Sequence, residues 1–463
     1  MTNYLKMKLI KKIIFCILIL CVSNSMLAQE LTDSEIGLDV ERLTPKLQER
    51  RIMRSEVIEQ KEKNKEKITS QYEEKNSTNI ADKLSTVEDI PESEKKALLA
   101  FYIATGGDKW NNTIGNKGKW DFNTPVTSWT SDGRGWYGID VFNGHVTNIS
   151  FTTDNNLNGA VIDLSALTEL ASIKLSYNPK LGGNINFIAN NYKLHTIHFR
   201  HNGLFGDLSS ITNLTNLVFF VNTFNKIGGE IPMEISKLEK LNHLVISNTQ
   251  ISGGLSHLGL LTSLDTLEFF DNEKNNKITD PDYNNKEIPS NFSNLINLRY
   301  LNLGSNGLAR NLQVIGSLKK LKGLVISANN FKGSLPDSFL KLSDLEGVLL
   351  SQNGFTDINN LKNSNKISLL LCDHNKLTAF PDFIGNFLNL RRFLLNDNEI
   401  SGFLPATYLN IVNVLGEFNV QGNKLRFIDL VDSVSFLSVI LFLITTKRKL
   451  ILQKQKIKRK DNR

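Results

Sequence analysis

One spacing of apolar residues returns twelve times between Val146 and Leu425 and constrains the chain more than any other feature. Each return reads aliphatic, two variable residues, aliphatic, one variable, aliphatic, two variable, then usually Asn, one variable, and Leu or Ile. The Asn position falls at Asp154, Asn178, Asn202, Asn225, Thr249, Asn272, Asn306, Asn329, Asn353, Asn375, Asn398 and Asn423. Steps between neighbours run from 22 to 25 residues, apart from one of 34. A unit of that size cannot close a core alone, so a fixed period means that successive units stack and share one apolar interior. The expected architecture is a solenoid.

The aliphatics that flank a single variable residue, such as Ile173 and Leu175 or Leu301 and Leu303, follow the period of two of a short strand with one buried face. Strands of successive units then pair in parallel. The Asn stands where the chain leaves the strand, so its amide can bond the turn's own buried backbone groups. A mere liking of Asn for turns does not explain one offset held in ten of the twelve units.

Several units end in Gly, one residue, an aliphatic and Pro: Gly229-Glu230-Ile231-Pro232, Gly333-Ser334-Leu335-Pro336 and Gly402-Phe403-Leu404-Pro405. Here the sequence resembles the plant-type, receptor-like class of leucine-rich repeat. The resemblance implies an α/β solenoid, a right-handed arc of about 12 repeats with a parallel β-sheet on its concave face. It also implies a second short strand at the Gly-x-Ile-Pro stretch. Plant extracellular members of the class generally close both ends with cysteine pairs. This chain does not, which makes a bacterial exported protein the better expectation.

The flanks divide the chain further. Residues 1–28 carry Lys6, Lys8, Lys11 and Lys12, an apolar stretch, and a small-residue step to Ala28, the layout of a signal peptide. Leu20 before Cys21 does not fit a lipoprotein box. Residues 29–93 read as a charged, partly helical linker with too few apolar side chains for a core. Residues 94–144 hold all four Trp and the stretch Gly106-Gly107-Asp108-Lys109-Trp110, and resemble the N-terminal cap of receptor-like and bacterial leucine-rich proteins. Covering the open end of a solenoid accounts for those aromatics better than a sugar platform does. The repeats occupy 145–429. The apolar residues 430–446 are either a membrane span or a C-terminal cap, and 447–463 form a basic tail.

Net charge is +7, yet removing the +4 of residues 1–28 and the +8 of residues 447–463 leaves −5. No nucleic-acid groove is implied. Cys372, the one cysteine outside the leader, occupies an inward strand position, which suits an apolar filler and argues against a nucleophile. His195, His198 and His201 are evenly spaced, but a spacing of three on a strand sends neighbours to opposite faces, against a metal site. The 34-residue step holds an insertion at about 273–286; Asp271, Asp280 and Asp282 lack the spacing of a calcium loop. No nucleophile-elbow or phosphate-loop pattern occurs. Neither cofactor nor enzyme activity is expected.

The working surface is expected on the concave side, where the variable residues between buried aliphatics point. Its N-terminal half offers His198, Arg200, Phe219, His243, Phe270 and Tyr300, residue types common in binding hot spots. Its C-terminal half offers Val325, Leu349, Leu371 and Leu394, with Leu369 alongside. That run reads either as an exposed apolar contact strip or as residues kept for strand formation. A protein or peptide ligand, a glycan stacked on Phe219, Phe270 or Tyr300, and a structural surface role all remain open. The location expected is extracellular or at the cell surface, with a membrane anchor if 430–446 spans.

Overall fold

The computed structural model describes residues 89–111, 119–130, 134–272, 286–411 and 414–426. The signal segment, all but the end of the linker, the insertion at 273–285, and both the 430–446 segment and the basic tail lie outside the described residues.

Strands are numbered along the chain. The main sheet holds β1 (Ile139–Phe142), β2 (His145–Phe151), β4 (Ser172–Ser176), β6 (Thr196–Arg200), β8 (Phe219–Thr223), β10 (His243–Ser247) and β12 (Thr266–Phe270). It continues through β13 (Tyr300–Asn302), β14 (Gly323–Val325), β16 (Gly347–Leu349), β18 (Leu369–Leu371), β19 (Arg392–Leu394) and β20 (Glu417–Asn419). All neighbours are parallel except β1 and β2. Register is one residue to one residue, as in Ile173 to Ile197 and Leu324 to Val348. The inward aliphatics, among them Ile173, Leu175, Leu301 and Leu303, are sealed in a single core.

A second parallel sheet runs beside it: β3 (Gly159–Ala160), β5 (Leu181–Asn184), β7 (Gly203–Asp207), β9 (Lys226–Glu230) and β11 (Gln250–Gly253). A separate pair, β15 (Lys332–Ser334) and β17 (Gly354–Asp357), repeats the arrangement later in the array. The outer segments are 3-10 turns of three to six residues, such as Leu312–Ser317 and Asp337–Lys341. Successive turns approach so closely that a Cβ on Gly316 would sit 2.5 Å from the Ser338 carbonyl oxygen.

The Asn column ties these turns together across the interfaces. The Oδ1 of Asn329 accepts from the N–H groups of Asn306 (3.2 Å) and Leu308 (2.9 Å) in the preceding turn. Its amide donates to Leu303 of that turn and to Ile326 of its own, each at 2.9 Å. The expected pairing within a turn is therefore only half of the role. In the first unit the column passes through Asn155, not Asp154. The Asn155 N–H donates to Asn178 and its side chain is buried, whereas Asp154 is exposed and accepts from Asn156. One extra residue after β2 shifts the register there.

The sole α-helix among the described residues, α1 (Glu92–Ala104), belongs to the N-terminal end. Leu98 and Phe101 pack inward, and Trp110, Trp120 and Trp136 cluster with Phe101 and Phe151. The indole N–H groups of Trp110 and Trp120 donate to the carbonyls of Thr105 and Tyr137. Buried Glu94 fastens the helix to β2, accepting from the Val146 N–H (2.8 Å) and pairing with His145 Nδ1 (2.7 Å).

Candidate functional site

On every main-sheet strand the residues that alternate with the sealed aliphatics face outward, and the parallel register lines them up in rows. One row runs Thr196, Phe219, His243, Thr266, Tyr300, Gly323, Gly347, Leu369 and Arg392. A second passes through Lys174, His198, Val221, Val245 and Glu268 and, further along, Val325, Leu349, Leu371 and Leu394. A third holds Ser176, Arg200, Thr223, Ser247 and Phe270. The register thus brings all eleven residues singled out in the sequence onto one sheet face.

Their exposure divides them. In the N-terminal half Phe219 is 42% exposed, with its ring centroid 5.7 Å from that of His243. His198, Arg200, His243, Phe270 and Tyr300 are half-buried. In the C-terminal half the expected exposed strip is absent. Leu349 is 2% exposed, Leu371 1% and Leu369 8%, while Val325 and Leu394 are half-buried. Adjacent strands are about 4.8 Å apart, less than a leucine side chain is wide, so consecutive leucines in a row cover each other. The run is a closed wall.

Beside that wall the first row becomes a trough. Gly323 lets the Tyr300 ring lie across it, where a Cβ would meet the ring at 2.8 Å, and a Cβ on Gly347 would meet nothing. Burial raises the Tyr300 phenol above its usual range, and nearby Glu346 adds to the effect.

The sequence reading missed a fourth row. The residue just before the column Asn adopts a left-handed backbone in ten successive turns, from Tyr177 (φ 59°) to Asp397 (φ 54°). In three consecutive turns it is Tyr177, His201 and Phe224, all exposed. Their rings touch edge to face, at 5.8 and 5.2 Å between centroids, and Arg200 lies 5.3 Å from the Tyr177 centroid. Aromatics immediately before the Asn in three units running were the available signal. Within the third row, the buried hydroxyls of Ser176, Thr223 and Ser247 have no hydrogen-bond partner.

The remaining chemistry is structural. Burial pushes the Cys372 thiol well above its ordinary value. The three evenly spaced histidines stay apart in role: His195 bonds Thr196 Oγ1, His198 faces the sheet surface, and His201 sits between Tyr177 and Phe224. No metal-binding cluster occurs among the described residues, and no described helix is long and apolar enough to cross a membrane. An open cleft of about 470 Å³ borders Phe205, Asp163 and Asn184, but Asp163 and Asn184 are engaged in capping Ser165 and Asn186.

No family model matches the chain. Receptor-like protein 41 of Arabidopsis thaliana is 28% identical over 240 residues, 51% of this chain and 24% of that protein. Receptor-like protein 39 of the same plant is 30% identical over 141 residues, 30% of this chain and 15% of that protein. The chain therefore spans a quarter or less of these relatives. Among solved structures, the Arabidopsis receptor kinase HAESA in complex with the peptide hormone IDA and the co-receptor SERK1 matches with a TM-score of 0.60 at 23% identity. That match covers 72% of this chain and 54% of HAESA. The plant peptide hormone receptor RGFR1 in complex with RGF2 matches with a TM-score of 0.50 at 25% identity, covering 63% and 49%. The chain is a leucine-rich repeat solenoid. Its repeats are similar to those of plant receptor-like proteins.

Proposed function

We infer that this is a non-enzymatic recognition protein of the cell surface or extracellular space, which binds a protein or peptide along the N-terminal half of its concave face. One observation carries the reading. Phe219, His243, Arg200 and the Tyr177–His201–Phe224 row place aromatic and cationic side chains, the residue types that dominate binding hot spots, on one solvent-facing surface. The similarity to receptor-like proteins supports it, as does the fact that HAESA and RGFR1 are receptors solved with peptide hormones. The Gly-x-aliphatic-Pro stretches favour the plant-type repeat class, and the lack of cysteine pairs favours a bacterial exported protein.

The test is capture from extracellular protein fractions by the full chain and by a Phe219→Asp, His243→Ala variant. The reading expects the variant to lose partners that the parent retains, with thermal stability unchanged. Identical recovery by both chains defeats it. Protease treatment of intact expressing cells tests the location, since a surface arc is cleaved without lysis.

A further inference from the structure

Charge is distributed unevenly over the concave face. The strands β4, β6, β8 and β10, read with the residue on either side of each, contain no carboxylate. The same four turns present Lys174, Arg200, His195, His198, His201 and His243. Carboxylates return only at the next turn, with Asp265, Glu268 and Asp271. Between the leader and the basic tail the chain carries a net charge of −5, so this basic field is a local feature that the totals conceal.

We propose that the ligand of these four turns is an acidic, extended polypeptide segment, its carboxylates seated against Lys174 and Arg200 and its apolar side chains against Phe219, Val221 and Phe224. The proposal rests on the reading of the concave face as a protein- or peptide-binding surface and specifies the chemistry of what is bound. Charge complementarity selects the sign of the partner. Val221 between Phe219 and Phe224 suits the mixed apolar side chains of a polypeptide. Within these four strands the outward positions hold no carboxylate or amide of the kind that grips sugar hydroxyls, and the amides of Asn242 and Asn248 lie just outside β10.

His195 makes the field respond to pH. Burial and, secondarily, Lys174 hold His195 below the ordinary imidazole range, so its charge is withheld until acid or an incoming carboxylate favours it. The charged and titratable neighbours are Lys174 on β4, His198, Arg200 and His201 at β6, His243 on β10, and Glu268 on β12; β8 contributes none. Binding of an acidic segment should therefore tighten as pH falls below about 6.5, the ordinary imidazole value.

The probes are a fluorescent oligo-glutamate peptide carrying two phenylalanines and its oligo-glutamine counterpart, titrated against the full chain by anisotropy. Expected are preferential binding of the glutamate peptide, weakening with added salt, and a roughly tenfold loss in Lys174→Gln, Arg200→Gln. Lys332→Gln, Lys341→Gln, far along the array, should bind as the parent does. Equal binding of both peptides, or no response to Lys174→Gln, Arg200→Gln, overturns the proposal. So does retention of heparin or oligonucleotide with neither peptide bound. If Phe219→Asp, His243→Ala abolishes partner capture while Lys174→Gln, Arg200→Gln does not, the recognition surface stands and the acidic ligand falls. If neither variant matters, both fall.

Discussion

At Thr249 the Asn column is interrupted, and the consequence can be followed atom by atom. The Thr249 hydroxyl donates forward to Asn272 Oδ1 at 2.9 Å, whereas a column Asn such as Asn329 reaches back to accept N–H groups of the preceding turn. Thr249→Asn should restore the backward bonds and stabilise the chain by about 0.5–2 kcal/mol, read from the urea midpoint. Loss of stability would show that the pocket is shaped for threonine. Tyr102 supplies a pH-dependent counterpart. Burial, then its bond to Asp108 at 2.8 Å, raise its phenol to about 12 from an ordinary value of 10. A folded-state value above the unfolded one adds stability below pH 10 that is lost as pH rises from about 10 to about 12. Tyr102→Phe should flatten that decline in urea melts, and an unchanged slope would remove the assignment. The offset of the Asn column was legible because the same residue recurs at a fixed period. The shift from Asp154 to Asn155 was not, since both are polar and only contact with Asn178 separates them.

Elements inherit their positions from a few such contacts. Helix α1 is joined to β2 by the buried Glu94 carboxylate through Val146 and His145. Glu94→Ala leaves the Val146 N–H buried without its Glu94 acceptor, a penalty of about 1–3 kcal/mol before the lost His145 hydrogen bond is counted. The expected result is a red-shifted Trp emission, because Trp110 and Trp120 pack on Phe101 and Tyr102 of that helix. Glu94→Gln should keep the Val146 bond and most of the native spectrum. An unshifted spectrum in the alanine variant would mean that aromatic packing alone holds the helix. The aromatic packing at this end was expected from composition, whereas its tether was invisible because a glutamate in a helix ordinarily faces water. The apolar run from Val325 to Leu394 shows the opposite failure. Alternation correctly assigned it to the outward side of the sheet, yet exposure depends on neighbours across strands, and leucines in register seal one another.

For the array as a whole, each turn touches only the turns beside it, so stability is a sum of unit and interface contributions, and cooperativity depends on the weakest interface. That makes the position of a broken interface observable. Asn329→Ala removes an acceptor from the buried N–H groups of Asn306 and Leu308, at a cost of about 1–3 kcal/mol for a buried donor left unpaired. The carbonyls of Leu303 and Ile326 keep the amides of Asn306 and Asn353, so the damage is confined to one interface near the middle. All four Trp lie at the N-terminal end and report unfolding there, whereas far-UV circular dichroism reports every strand. In the parent the two probes should give one urea midpoint. In Asn329→Ala the dichroism should begin to fall at lower urea while the Trp midpoint holds, because the turns beyond the break can unfold first. Asn178→Ala, two turns from the cap, should move both probes together. If Asn329→Ala also shifts both equally, the array is coupled more strongly than nearest-neighbour stacking permits. The concave surface would then have to respond as one body to a ligand bound at only one of its halves.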